Sequence, residues 1–248
     1  MFSIFKKKQS TVPLVDFSLI GTDIHSHFIP AIDDGSDSLE TSITLIKGLV
    51  ALGIKHIITT PHIMSDHYEN TSEVILSGLK TVQERLHTEG VNVTLHAAAE
   101  YYMDEYFLNL LNTQPLLTLW GNHVLVEMGF YSPPRGWEDY FFKISLKGYQ
   151  PILAHPERYS YFHKSYIEYN EIKEKGVLLQ VNVLSLTGYY GESVKKTAFR
   201  LLDDKLIDFI GTDAHHTRHI ETLKEQIKMP EVQKILANYP FKNSGIIH

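Results

Sequence analysis

The sequence predicts an α/β fold, a single domain whose parallel strands alternate with helices and close, or nearly close, into a distorted TIM-like (β/α)7 barrel. Three observations predict it. Short β-rich apolar runs alternate with helix-period segments along the chain. The length of 248 residues is normal for one such barrel. Almost every strand candidate also ends on a histidine or an acidic residue, as expected where strand ends converge on one face.

The elements follow in order. The first strand candidate is Ser18–Thr22, and its helix carries Leu39, Ile43, Ile46 and Val50, with Asp37 and Glu40 at a cap-like start and Gly53 as a stop. The second strand is Ile54–Thr60. Its helix begins near Asn70 and Glu73, carries Val74, Leu79, Val82 and Leu86, and ends at Gly90. The third strand is Val91–Ala99, with only a short helix near Asp104–Leu111 behind it. The fourth is Val124–Met128, followed by a Ser132-Pro133-Pro134 turn and a helix ending near Gly148. Pro151–Ala154 and Val177–Val183 are the fifth and sixth, the latter after a helix stopped by Gly176. Leu206–Gly211 is the seventh, and a final helix is expected over about Glu221–Asn238. Residues 18–248 form the expected domain, and residues 1–17 an expected flexible, solvated tail.

Composition narrows the function. Apolar residues make up 43% of the chain and charged residues 21%, a balance that supports a full core. The net charge of −6 argues against a nucleic-acid binder with a general basic surface. The absence of cysteine excludes disulfides, thiolate metal sites and a cysteine nucleophile. No Gly-rich Gly-Lys-Ser/Thr loop is present, which excludes a Walker-type nucleotide enzyme. No apolar run approaches the ~18 residues a membrane span needs, and the start, with Phe2, Ile4, Phe5 and then Lys6–Lys8, lacks a signal-peptide core. A cytoplasmic protein is expected.

The strand ends carry the chemistry. The first leads into Asp23-Ile24-His25-Ser26-His27 and then Asp33-Asp34-Gly35; the second into Thr60-Pro61-His62; the third into Ala99-Glu100; the fourth holds Glu127. The fifth leads into His155-Pro156-Glu157-Arg158 and the seventh into Thr212-Asp213-Ala214-His215. His25 and His27 lie two apart, so on an extended strand they point the same way and suit one ion; Asp213 and His215 repeat the spacing. Five histidines and four carboxylates at equivalent positions of successive strands point to a divalent-metal site of imidazole and carboxylate ligands.

Asp-Ile-His-Ser-His, Thr-Pro-His, the Glu of the third strand, Ala-His-Pro-Glu-Arg-Tyr and Gly-Thr-Asp-Ala-His resemble the PHP (polymerase and histidinol phosphatase) superfamily over about Thr22–His216. Asp-Asp-Gly, Glu-Tyr-Tyr at Glu100–Tyr102 and His-Pro-Glu-Arg-Tyr look like its bacterial manganese-dependent tyrosine-protein phosphatases, which act on kinases of capsule and exopolysaccharide regulation. The resemblance implies a PHP-type barrel holding three divalent ions: His25, His27, Glu100 and Asp213 at the first, Glu100, Glu127 and His155 at the second, and Asp34, His62 and His215 at the third. Asp33 stays open as an alternative to Asp34. Manganese is the implied metal, with iron and zinc compatible with the same ligands. The implied partner is a phosphotyrosine-bearing bacterial tyrosine kinase, and the implied reaction is hydrolysis by metal-activated hydroxide.

Charge suits that chemistry, because three divalent ions opposed by four carboxylates leave the pocket at about +2, complementary to a phosphomonoester dianion. Arg158 is the candidate for phosphate contact through its planar fork, against a simple pair with Glu157. Glu157 is a candidate to orient Arg158 or a ligand histidine, and Asn182 a hydrogen-bonding neighbour. Glu100, Asp213 and His215 complete the expected catalytic set, the last two as indirect proton donors. A phenol leaving group, with its pKa near 10, makes such a donor optional. Tyr101, Tyr102, Phe130, Tyr131 and Tyr159 are candidates to stack on a substrate ring. The alternative on the same metal site is histidinol phosphate or another small phosphomonoester.

Overall fold

The computed structural model describes residues 15–246. Nine strand segments and nine α-helices are found among them: β1 (Thr22–Asp23), α1 (Leu39–Val50), β2 (His56–Thr59), β3 (His62–Ile63), α2 (Ser72–Thr88), β4 (Thr94–Ala97), β5 (Glu100–Tyr102), α3 (Glu105–Thr113), β6 (His123–Glu127), α4 (Trp137–Leu146), β7 (Gln150–Ala154), α5 (Ser160–Lys164), α6 (Ile167–Glu174), β8 (Leu178–Asn182), α7 (Glu192–Asp203), β9 (Phe209–Gly211), α8 (Thr217–Gln226) and α9 (Pro230–Asn238). Every pairing between them is parallel, in two sheets ordered β1-β2-β4 and β3-β5-β6-β7-β8-β9. The chain is therefore an α/β protein built on parallel sheets, as its alternating pattern predicts.

The two sheets share their chain runs. β2 and β3 are one extended run interrupted at Pro61, which has no N–H to give to a ladder. β4 and β5 are likewise interrupted at Ala98 and Ala99. Hydrogen bonds carry the pairing through the gap, from Ala98 N–H to Thr59 O (2.9 Å) and from Glu100 N–H to Pro61 O (3.1 Å). Beyond β1 and β9, Ser26 and Ala214 form a parallel bridge, flanked by Asp213 N–H to His25 O (2.8 Å) and His27 N–H to Ala214 O (3.0 Å). Each of the seven expected runs thus neighbours the next in sequence, and the first meets the seventh.

Two cores fill the fold. A small cluster of Ile24, Ile58, Ala98, Leu119, Leu125, Ile152, Ala154 and Phe209 lies on one face of the strands. A larger one packs the other face against the helices, where α1 contributes Ile43 and Ile46 and α2 contributes Val82 and Leu86, as their spacing predicts. Val74 instead faces solvent at 44% exposure, because the buried face of α2 runs through Ile75. Local caps start these helices. Ser38 accepts from Thr41 N–H, Thr71 from Val74 N–H and Asp104 from Phe107 N–H.

Two expected elements differ, and one helix is unexpected. Ser18 does not open a strand: Phe17–Leu19 is a 3-10 turn, because the Asp16 carboxylate accepts Ser18 N–H at 2.9 Å, and the strand begins only at Thr22. The final helix is two, because Pro230 takes the first-turn position of α9 where no N–H is needed and cannot continue α8. α7 follows β8 where the pattern names no helix. Its sequence is mostly polar and buries only Thr197, Ala198, Leu201 and Leu202.

Of the expected tail, residues 1–14 lie outside the described residues. Val15 exchanges hydrogen bonds with the Gln233 side chain, each 2.8 Å, and Phe17 is buried. No helix among the described residues is long and apolar enough to cross a membrane.

Candidate active site

Seven of the nine expected ligands, Asp34, His62, Glu100, Glu127, His155, Asp213 and His215, line one cavity of about 260 Å³ together with Arg158 and Tyr190, and His25 and His27 stand against Glu100 and Asp213 in its wall. Glu100 is its centre and is fully buried. Its Oε2 stands 3.1 Å from His25 Nε2, 3.4 Å from His27 Nε2 and 3.3 Å from His62 Nδ1, while its Oε1 stands 3.1 Å from His155 Nε2. Burial alone would raise the Glu100 pKa, but the facing His25 and His62 rings outweigh it and hold the carboxyl well below its usual range. Asp213 Oδ1 faces His25, His27 and His215 at 3.3, 3.6 and 3.5 Å. Glu127 Oε1 meets His62 Nδ1 at 3.0 Å, and Asp34 Oδ1 meets His62 Nε2 at 3.4 Å and His215 Nε2 at 3.5 Å.

Second contacts decide which atom of each ring faces the cavity. The Gln180 amide donates through Nε2 to Asn182 Oδ1 at 2.9 Å, so its Oε1 accepts from His25 Nδ1 at 2.7 Å. That fixes the His25 proton on Nδ1 and leaves the Nε2 lone pair to the cavity. Asp33 Oδ2 does the same for His27, accepting from Nδ1 at 2.8 Å, and the backbone oxygen of Asp213 does so for His215 at 2.9 Å. Asp33 and Asp34 are thereby separated: Asp33 stands behind His27 and accepts the His62 and Gly35 backbone N–H groups, whereas Asp34 points at the rings. Gly35 is required beside them, because a Cβ there would lie 2.4 Å from His27 Cβ and from His27 O. His155 (φ 34°) and Asp213 (φ 51°) both hold left-handed backbone just past their strands, strain of the kind that accumulates at functional sites.

The donor set fits divalent metal. His25 Nε2, His27 Nε2, His62 Nδ1, Glu100 Oε2 and Glu127 Oε1 are buried without a hydrogen-bond partner. Orphaned buried polar atoms of this kind are rare, and here they converge. Four groups of three or four ligand atoms each lie within 4.8 Å of one another: His27 with Asp34, His62 and His215; His25 with Glu100 and His155; His25 with His27 and Asp213; and His62 with Glu100 and Glu127. Imidazole nitrogen and carboxylate oxygen without sulfur suit borderline and hard ions.

Arg158 reaches the cavity wall. Its Nη1 donates to Asp213 Oδ2 at 2.9 Å, and its guanidinium lies between the Phe130 and Tyr190 rings, 4.4 Å from each centroid. Glu157 is not its partner; that carboxylate is buried, accepts Asn182 N–H and the Ser185 hydroxyl, and has its pKa raised by burial. Asn182 is a hydrogen-bonding neighbour, donating to Asp213 Oδ2 at 2.7 Å. Among the expected ring-stacking residues, Tyr102 and Phe130 line cavity walls and Tyr131 is fully exposed. Tyr101 and Tyr159 are buried instead, because their hydroxyls satisfy the backbone of Leu117, Met128 and Ala154.

Sequence reasoning missed Gln180, Tyr190 and His219. Gln180 carries a signal, sharing one strand face with Asn182 two residues on. His219 accepts His215 N–H at 3.2 Å, and burial, with His216 and His215 beside it, pushes its pKa down to about 3.

Fold and site together define an α/β protein with a histidine- and carboxylate-lined metal pocket at its strand ends. The chain belongs to the capsular polysaccharide synthesis family CpsB/CapC, whose family model matches residues 21–237. It is similar to the tyrosine-protein phosphatase YwqE of Bacillus subtilis strain 168, 32% identical over 203 residues, covering 81% of this chain and 80% of that protein. The tyrosine-protein phosphatase CpsB of Streptococcus pneumoniae is 26% identical over 200 residues, covering 78% and 82%. Crystal structures described as those of YwqE and CpsB, unique metal-dependent tyrosine phosphatases, include a match with a TM-score of 0.76 at 29% identity, over 87% of this chain and 91% of the other.

Proposed function

We propose that this chain is a metal-dependent phosphomonoesterase that hydrolyses phosphotyrosine on proteins, its partner being a tyrosine kinase of capsule or exopolysaccharide regulation. The convergence of orphaned imidazole nitrogens and carboxylate oxygens beside Arg158 carries the proposal. Family membership and the names of the relatives support the substrate. The seven runs would close into a distorted PHP-type barrel forming one domain from residue 18 onward, for which the Ser26–Ala214 bridge speaks. The reaction would take place in the cytoplasm.

His25, His27, Glu100 and Asp213 would hold one ion, Glu100, Glu127 and His155 a second, and Asp34, His62 and His215 a third, with manganese the leading metal. When bound, such ions acidify water and neutralise charge on a phosphate. The protein's own groups do the rest. Gln180, Asp33 and the Asp213 carbonyl keep the ligand rings in one tautomer. Arg158, held between two rings in the cavity wall, offers its fork to phosphate oxygens. His215 Nδ1 donates to Asp213 O and its Nε2 faces Asp34. A general acid at His215 or Asp213 is optional for a phenol leaving group, whose ordinary pKa is near 10.

The test is phosphate release from a phosphotyrosine peptide and from histidinol phosphate by chelator-stripped protein, with and without manganese. Manganese-restored release from the peptide is expected. Preference for histidinol phosphate would move the protein to small-molecule chemistry on the same site, and inertness towards both would refute the proposal.

A further inference from the structure

A second cavity, of about 560 Å³, opens from the metal pocket and shares Asp34, His62, Glu127 and Phe130 with it. Its volume lies within the range of ~300–1,000 Å³ typical of small-molecule sites. Met64, Tyr68, Tyr102 and Tyr131 give it an aromatic and apolar side, set against the polar side chains of Ser65, Asp66, His67, Asp104 and Ser132, and no Lys or Arg lines it. We propose that this cleft receives the phenyl ring of the substrate's phosphotyrosine, with Tyr68 and Met64 as the specificity-determining wall; the inference rests on the phosphotyrosine reading.

Position argues for it first. The Tyr68 ring lies nearly parallel to that of His62, 15° between planes with centroids 5.7 Å apart, so the apolar wall begins where the metal-facing side chains end. A phosphate in the metal pocket would put its ester oxygen and ring at the boundary lined by Asp34, His62 and Glu127, beyond which Tyr68 lines the second cavity. Electrostatics agrees, because a cleft with no Lys or Arg and with Asp66 and Asp104 on its polar side disfavours a second anion and leaves the aromatic faces to hold a neutral ring.

Rigidity argues for it next. Met64 and Tyr68 close a narrow hairpin through paired backbone bonds of 3.0 and 2.9 Å. The Ser65 backbone N–H and hydroxyl both donate to Asp104 Oδ2, at 3.2 and 2.7 Å. The Asn70 amide ties the following residues to Ile32 O at 2.9 Å and to His62 O at 2.8 Å. The wall is thus anchored to α3 through its cap and to the His62 backbone, and it faces the cavity already in place. Such preorganisation favours a rigid planar ligand over a flexible alkyl one.

The experiment compares kcat/KM for a phosphotyrosine peptide with that for a phosphoserine peptide of otherwise identical sequence, on the manganese-loaded full chain. Tyr68→Ala and Met64→Ala should each lower the aryl-to-alkyl ratio by about two- to tenfold, the worth of one ring contact, mainly through KM. Tyr68→Phe, which keeps the ring, should retain the wild-type ratio. An unchanged ratio in both alanine variants overturns the inference. So does an equal loss on both peptides, which would make Tyr68 a support for His62. Wild-type protein that releases no phosphate from the phosphotyrosine peptide overturns the phosphotyrosine reading itself, and that outcome is read before any variant is made.

Discussion

Gly211→Ala places a single methyl group at the back of the metal pocket. Gly211 ends β9, and a Cβ there would lie 2.9 Å from His25 Cβ, 2.8 Å from Gln180 Nε2 and 3.1 Å from Gln180 Cδ. Ordinary contact begins at 3.4 Å, so His25 and Gln180 must each retreat by about half an ångström. Overpacking of this kind costs ~1–3 kcal/mol. At ~2–4 °C per kcal/mol for a chain of this size, the metal-stripped variant should melt roughly 2–12 °C lower than wild type. The larger effect is expected on the site. Metal–ligand distances tolerate only about 0.2 Å, and a retreat of His25 Cβ carries the ring and its Nε2 with it. A displacement of about half an ångström should lower kcat/KM on a phosphotyrosine peptide by ~10-fold or more at fixed manganese. Calorimetric melts of the stripped protein and steady-state kinetics of the loaded one separate the two effects. Wild-type melting together with wild-type kinetics would show that His25 and Gln180 are not held against Gly211, and the positional account of His25 would fall.

Three further outcomes are expected. Gln180→Leu removes the acceptor that fixes His25 Nδ1–H and should weaken metal binding or activity by ~10–100-fold with little change in melting; undiminished metal retention on dialysis would refute the tautomer argument. Arg158→Lys keeps the charge but loses the fork and the stacking between Phe130 and Tyr190, so it should keep its metals yet lose ~10-fold or more in kcat/KM; loss of metal instead would make Arg158 a support for Asp213. In metal-stripped protein, burial opposes protonation of His62, but Glu127 and Glu100 outweigh it and raise its pKa to about 9. A raised folded-state pKa contributes stability that is complete below the unfolded value near 6.5 and is lost as pH climbs through about 9. The stripped protein should therefore lose melting temperature between those pH values while the manganese-loaded protein holds it, and parallel pH profiles would contradict the competition of metal and proton for these rings.

The candidate ligands were legible in the sequence because their signal is local: all but Asp34, which lies on a loop, sit on or just past a strand, in short motifs such as His25-Ser26-His27 and Asp213-Ala214-His215. The parallel pairing was legible for the same reason, through runs alternating with helices. What could not be read depends on distant partners. Gln180 looks like any strand glutamine until β8 stands beside His25. Tyr190 follows a 3-10 turn that no periodicity announces, and it reaches Arg158 only in the folded chain. Tyr101 and Tyr159 flank ligands in sequence yet turn into the core, because on a strand or tight turn the neighbour of an inward residue points the other way. The division of labour between Asp33 and Asp34 was invisible because adjacent identical residues carry no positional signal; the Gly35 turn decides it. Pro230, by contrast, is legible as a helix break, since a proline suits the first turn of α9 and cannot continue α8.

The most direct test is elemental analysis of the purified full chain during a chelator titration, with release of phosphate from a phosphotyrosine peptide measured on the same samples. The account predicts three divalent ions per chain and activity that falls as they are removed and returns with manganese. Undiminished turnover by protein shown to be free of divalent metal would contradict it.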